Sequence, residues 1–137
     1  MKLTEVLNSP VSVRWRSEGS GGAKADFTVG ESDYTVWIDR TYDEETQHAA
    51  WEILFFLSER DTDELRMDTT GTGGQFQVYS TVFNILLEHM RKYGKFAVKM
   101  VAEDPSRQSL YPKLLNKFLP NWPVSVDGED IIARPPR

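Results

Sequence analysis

Three glycines in the run DTTGTGGQFQVYSTVFNILLEHM, at Gly71, Gly73 and Gly74, stand immediately ahead of a long amphipathic segment. Glycine reaches backbone angles that other residues avoid, and it lets a ligand approach the main chain. The first turn of a helix has amide N–H groups without intrahelical partners, and the helix dipole adds partial positive charge there. Gly71, Thr72, Gly73 and Gly74 together would make a cradle for a phosphate or diphosphate. The plainer reading is that these glycines only end one element and start the next. Other chemistry is scarce. The chain has no cysteine, which removes disulfides, thiolate metal sites and cysteine nucleophiles. Its two histidines, His48 and His89, are far apart and have no carboxylate at ligand spacing, which speaks against a histidine metal site or a catalytic triad.

The element behind the glycines is the clearest in the chain. Phe76, Tyr79, Val82, Phe83, Leu86, Leu87 and Met90 recur at the three-and-four spacing of one apolar stripe. Arg91, Lys92 and Gly94 then supply a helix stop. Before the glycines the pattern is that of strands. Val11–Arg16 alternates, with Val11, Val13 and Trp15 on one face, and Glu18–Gly22 reads as a flexible turn. Two more runs, Ala23–Val29 and Tyr34–Arg40, are close enough for consecutive antiparallel hairpins. Thr41–Gln47 is acidic and reads as a solvated loop. Ala50–Ser58 contains an unbroken apolar run, which predicts a strand buried on both faces. The strand leading into the glycine turn is either this one or a shorter one at Leu65–Asp68.

After the helix, Lys95–Ala102 reads as a strand. A second helix runs from about Asp104 to Leu119, with Leu110, Leu114, Leu115 and Phe118 inward, and a start nearer Ser109 would place Pro112 most easily. Val124–Val126 and Ile131–Ala133 flank Asp127-Gly128, a strong hairpin-turn signal. Residues 1–10 read as an arm and residues 134–137 as a loose tail. At 137 residues the chain fits one domain with an ordinary core. Its 39% hydrophobic content argues for a globular protein, and its net charge of −5 argues against general nucleic-acid binding. No apolar run approaches the about 20 residues of a membrane span, and no secretory signal opens the chain, so a cytoplasmic location is expected.

The order of strands, glycine turn, helix, strand, helix and final hairpin resembles the Gcn5-related N-acetyltransferase (GNAT) superfamily from about Ala50 to Ala133. In that family a Gln/Arg-x-x-Gly-x-Gly/Ala loop holds the pyrophosphate of acetyl-coenzyme A. Here Asp68-Thr-Thr-Gly71-Thr-Gly73 matches in its glycines, while Asp68 stands where the family has Gln or Arg. A carboxylate there opposes a diphosphate by about 1 kcal/mol at 4 Å in water and by more in a drier site. The family's Asn-x-x-Ala-x-x-Leu-Tyr pattern is matched by Asp104 to Leu110-Tyr111, with Asp104 for the Asn and Arg107 for the Ala. The two helices that the family places between its first two strands have no room between Arg16 and Ala23. The small size and short hairpins are also similar to acetyltransferase-like proteins of tailed bacteriophages, which would put the chain in a virion.

The resemblance implies an α+β fold, a largely antiparallel mixed sheet with two main helices and a C-terminal hairpin. It implies acetyl-CoA as cofactor and an amine as acceptor, with Gly71, Thr72, Gly73, Gly74, Ser106 and Arg107 binding the cofactor. Tyr111 would protonate the leaving thiolate, since a phenol carries its proton at neutral pH. The alternative for Tyr111 is packing at the start of its helix, and for Ser106 a helix cap. The base is sought among Glu52, Glu59 and Asp68; burial within an apolar run would raise the pKa of Glu52, and a strand edge would expose it instead. Trp15, Trp37, Trp51 and Trp122 either line a groove or fill the core. The competing expectation is an inactive fold of the same type that binds a protein partner or a second copy of itself.

Overall fold

The computed structural model describes residues 11–57 and 74–136. Within them the chain forms β1 (Val13–Gly19), β2 (Gly22–Val29), β3 (Ser32–Asp43), β4 (His48–Leu57), α1 (Gly74–Tyr93), β5 (Ala97–Val101), α2 (Pro105–Phe118), β6 (Val124–Asp127) and β7 (Asp130–Ala133). The seven strands make one mixed sheet in the order β1-β2-β3-β4-β5-β7-β6. Every neighbouring pair is antiparallel except β4 and β5, which are joined through α1. The fold is therefore α+β, with a mostly antiparallel mixed sheet, two helices and a C-terminal hairpin, β6–β7. No helix among the described residues is long and apolar enough to cross a membrane.

Both helices lie on one face of the sheet. Phe118 of α2 stacks on Phe83 of α1 at 4.8 Å and 8°, and Phe55 of β4 faces Tyr79 of α1 and Tyr111 of α2. Ala23, Ala25 and Phe27 of β2, Val36 and Ile38 of β3, and Trp51, Ile53 and Phe55 of β4 point into this layer and are buried. Among the described residues no helix lies over the opposite face. This corrects the expectation for the apolar run in β4: Ile53 and Phe55 are buried, but Leu54 points the other way and is 38% exposed. The stripe on α1 holds except at Leu87, which is exposed, while His89 joins the buried side.

The helix ends follow the sequence signals. Gly94 adopts φ +129 and its N–H bonds back to the Met90 carbonyl, closing α1. The freed Gly94 carbonyl accepts from Trp51 Nε1 at 3.0 Å, which locks the helix end to β4. Asp104 caps α2: its Oδ1 accepts from the Arg107 N–H at 2.8 Å, and Pro105 takes the first helical position. The helix thus starts ahead of Ser109, Pro112 sits within it, and Ser106 is not the cap. Pro112 leaves the Gln108 carbonyl without its usual helical donor, a cost the packed Leu114 and Leu115 beneath it offset.

Three boundaries differ from the sequence reading. Glu18 and Gly19 belong to β1 and Gly22 to β2, so the turn shrinks to Ser20-Gly21. β3 and β4 extend as a hairpin through Asp43 and His48, into the stretch expected to be a solvated loop. Arg134 is anchored rather than loose, its N–H bonded to the Pro123 carbonyl and its side chain to Asp43. The arm at residues 1–10 and the strand at Leu65–Asp68 fall outside the described residues.

Candidate functional site

The one parallel contact in the sheet is short. β4 and β5 pair only at Ala50–Ala97, Trp51–Val98 and Glu52–Lys99. Beyond this, Ile53–Leu57 of β4 continue to pair with β3, and Met100 and Val101 of β5 pair with β7. The two strands stop hydrogen-bonding to each other halfway along, and the opening lies toward their carboxyl ends. That is also the end at which the chain turns toward both helices, because α1 follows β4 and α2 follows β5.

On the helix side, Phe55 stands beside this opening with Tyr79 at 6.2 Å and Tyr111 at 6.3 Å, centroid to centroid. Tyr111 comes from the second turn of α2, on the buried face next to Leu114 and Leu115, and is 2% exposed. Burial pushes its phenol pKa well above the ordinary value; the Arg107 charge opposes this but more weakly. The phenol therefore keeps its proton across the neutral range and acts as a hydrogen-bond donor or acid. Burial in the core and a retained proton thus coincide in one ring.

Glu52 lies across the sheet from it. Strand alternation turns Trp51 and Ile53 into the helix layer and Glu52 out to the open face, where it is half-buried. Lys99 Nζ is 4.0 Å from Glu52 and 3.6 Å from Asp130, so the carboxylate faces a cation shared with a second acid. Tyr111 and Glu52 thus lie on opposite faces of the sheet, Glu52 at the last position where β4 and β5 pair.

Of the expected cofactor contacts, Gly74 is the first residue of α1, while Gly71, Thr72 and Gly73 lie outside the described residues, as do Glu59 and Asp68. Ser106 is exposed in the first turn of α2. Arg107 is largely covered, and its Nε sits 3.3 Å from Asp104 Oδ2. An anion docking at this helix start would compete with Asp104 for the guanidinium. Of the tryptophans, Trp51 and Trp122 are core, Trp15 packs on the core edge, and Trp37 is 38% exposed on the open face.

A polar cavity of about 150 Å³ on the open face was not foreseen from the sequence. Tyr42, Asp43, Lys99, Ser125, Asp130 and Arg134 contribute to its lining. Arg134 forks onto Asp43 (Nε to Oδ2 2.8 Å, Nη2 to Oδ1 3.1 Å) and reaches Glu45 and Ser125 as well. These bonds lower the Asp43 pKa to about 2. Nothing in the local sequence marks the pair, because the partners stand 91 positions apart, one in a polar stretch and the other beside two prolines. Among the described residues no group of three or more histidines and carboxylates is placed to hold a metal ion.

No protein-family model matches the chain, and no curated protein is similar to it in sequence.

Proposed function

We propose that the chain is a divergent member of the GNAT superfamily, an N-acetyltransferase that moves an acetyl group from acetyl-CoA to an amine in the cytoplasm. The observation that carries this reading is the parting of β4 and β5 after three paired positions, at the carboxyl ends from which both helices are reached. A slot in a sheet gives an extended pantetheine arm a place to lie with its amides bonded to strand edges. The diphosphate would then rest at the head of α1, on the amides of Gly71 to Gly74, with Ser106 and Arg107 at the neighbouring helix start.

The reaction needs a base, an electrophile and an acid. The amine nitrogen attacks the thioester carbonyl and a C–N bond forms. Glu52, on the open face, accepts the amine proton. As the C–S bond breaks, Tyr111, on the helix face, gives its proton to the departing thiolate. Acid and base on opposite sides of the slot suit an addition–elimination in which one proton leaves the attacking nitrogen for Glu52 as the tetrahedral intermediate forms and another reaches the sulfur from Tyr111 as it collapses.

A second reading is favoured by two contacts. Arg107 is held by Asp104, and Glu52 is close to Lys99, so both are engaged before any ligand arrives. On that reading the fold binds without catalysing. Calorimetry and thermal shift with acetyl-CoA separate the two. No heat and no rise in melting temperature at about millimolar ligand rejects the enzyme. Saturable binding without acetyl transfer to a panel of amines leaves the binding protein. Gly73→Glu should abolish binding, and unchanged affinity would place the diphosphate elsewhere.

A further inference from the structure

The open face of the sheet carries an apolar centre with opposite charge on its two flanks. At the centre, Trp37 of β3 and Leu54 of β4 are directly paired and each 38% exposed, and the Phe56 ring meets Trp37 edge-on at 5.4 Å. Toward β1 the face is basic. Arg14 and Arg16 are 80% and 61% exposed along their side chains, and Lys24 lies over the Trp37 ring at 4.9 Å. The carboxylate among them, Asp26, is buried beneath the two arginines and accepts from Thr35 at 2.9 Å. Toward β6 and β7 the face is acidic. Asp127 and Asp130 stand there, and Lys99 of β5 bridges Asp130 to Glu52 of the central strand β4.

We infer that this face is the interface of a symmetric dimer, and that its occupant is a second copy of the chain; this rests on the second reading above, the fold that binds without catalysing, because the partner's β3 would cover Glu52. The charge pattern selects the geometry. A twofold axis running across the strands would set β1 against β1 and put arginine on arginine. An axis running along the strands, between β3 and β4, exchanges the two flanks. It lays Trp37 of each copy on Leu54 of the other, sets each basic flank over an acidic one, and brings Asp39 over Glu52, where Lys99 supplies the neutralising cation.

The register agrees along the strand direction. Lys24 is level with Trp37, and Trp37 with Leu54. Glu52 is level with Lys99, so Leu54, two residues on, is level with Val101, which pairs with Asp130, itself paired with Asp127. Trp15 and Ser17 flank an irregularity in the β1–β2 ladder at this same level, and the extra residue is Arg16. Asp130 of one copy therefore meets Arg16 of the other without a shift along the strands. Seven strands at about 4.8 Å spacing span roughly 30 Å, enough for the about 800 Å² per partner of an ordinary stable interface. Sheets packed this way align within about 30°, which keeps the two flanks in reach. An isologous contact repeats each pairing twice, so a modest match counts double.

The chain has no cysteine, so single-cysteine variants report contact cleanly. Sedimentation of the unmodified full chain should show twice the 15.7 kDa chain mass at about 100 µM. A short bismaleimide, able to span the about 11 Å between the two copies' β4 positions, should cross-link Leu54→Cys to itself and leave Leu87→Cys, on the exposed side of α1, uncoupled. Arg16→Glu and Asp130→Lys should each weaken the homodimer about tenfold, and mixing the two should restore a heterodimer. A chain that stays monomeric at that concentration has its open face covered by something else and overturns the inference. So does a dimer that cross-links through Leu87→Cys but not Leu54→Cys, since that dimer is built on another surface.

Discussion

Arg134 reaches from just beyond the last strand to grip Asp43 at the end of β3, both carboxylate oxygens engaged, at 2.8 and 3.1 Å. The two residues are 91 positions apart and close the sheet where β7 and the β3–β4 hairpin come together. Asp43 is 3% exposed, and Thr46 Oγ1 and the Glu45 N–H complete its bonding. Removing Arg134 would leave a buried carboxylate without its cation. We expect Arg134→Ala to cost roughly 3 kcal/mol in urea unfolding, and Asp43→Asn combined with Arg134→Met to cost less than the two single changes together. Equal additivity would show that the pair is decorative.

The same pair sets an acid limit. The folded pKa of Asp43, about 2, lies below its ordinary 3.8. The unfolded chain therefore takes up this proton first as pH falls. The stabilisation is complete above about pH 4 and disappears between there and pH 2, amounting to about 2 kcal/mol. Denaturation midpoints at pH 5, 3.5 and 2.5 should fall more steeply for the natural chain than for Asp43→Asn.

Why this pair escaped the sequence while most elements did not is a matter of range. The α1 stripe, the Gly94 stop, the Asp127-Gly128 turn and the alternation of β2 and β3 are local patterns, and local sterics enforce them. Asp43 and Arg134 carry no local signal, because each needs the other to be ordered. The burial of β4 was misjudged for a related reason. Its unbroken Ile53–Leu57 run is compatible with cover on both faces, but nothing within the strand says that both helices share one side. The candidate site divides in the same way. Tyr111 was singled out only through the Leu110-Tyr111 resemblance, the helical stripe of Leu110, Leu114, Leu115 and Phe118 having left it out, and its place across the sheet from Glu52 depends on strand parity and the β4–β5 register, which only the assembled fold fixes.

His89 is fully buried between Trp51 at 4.6 Å and Tyr93 at 4.8 Å, and neither ring nitrogen has a hydrogen-bond partner among the described residues. Burial lowers its pKa, with the nearby Glu18 carboxylate opposing and Lys92 adding to the shift. Below about pH 6.5 the unfolded histidine takes up a proton that the folded one refuses, so stability declines as pH falls through this range, by up to about 1.4 kcal/mol per unit. His89→Phe keeps a ring between Trp51 and Tyr93. It should flatten the stability profile between pH 6.5 and 5 without lowering stability at pH 8, and an unchanged slope would assign the proton uptake to another group. This decline begins near pH 6.5, well above the onset of the Asp43 loss, so the two onsets are separable in one titration.

Gly22 and Gly21 are neighbours with opposite tolerances. Gly22 opens β2 with φ +148, and a Cβ placed there would overlap the main-chain carbonyl of Ile38 on the adjacent strand. At Gly21 a Cβ would meet nothing within 4 Å. Gly22→Ala should cost roughly 2–3 kcal/mol, because backbone cannot move aside as a flexible side chain can, and Gly21→Ala should stay within about 0.5 kcal/mol of the natural chain. Comparable thermal shifts in the two variants would contradict the strand register at this corner.

Tyr111 allows the acid role to be separated from the packing role. Tyr111→Phe removes one oxygen and keeps the ring against Phe55, so acetyl-CoA binding should persist while acetyl transfer falls about 100-fold, mostly in kcat. Tyr111→Ala would confuse the two by leaving a cavity beside Leu114 and Leu115, at a cost of about 3–5 kcal/mol. The raised pKa adds a second signature. An acid that stays protonated to beyond its ordinary range produces no loss of rate on the alkaline side up to about pH 9.5, whereas an exposed phenol would begin to titrate there. Transfer that survives Tyr111→Phe undiminished would mean the thiolate takes its proton from water, and would leave this ring as a buried strut under the opening between β4 and β5.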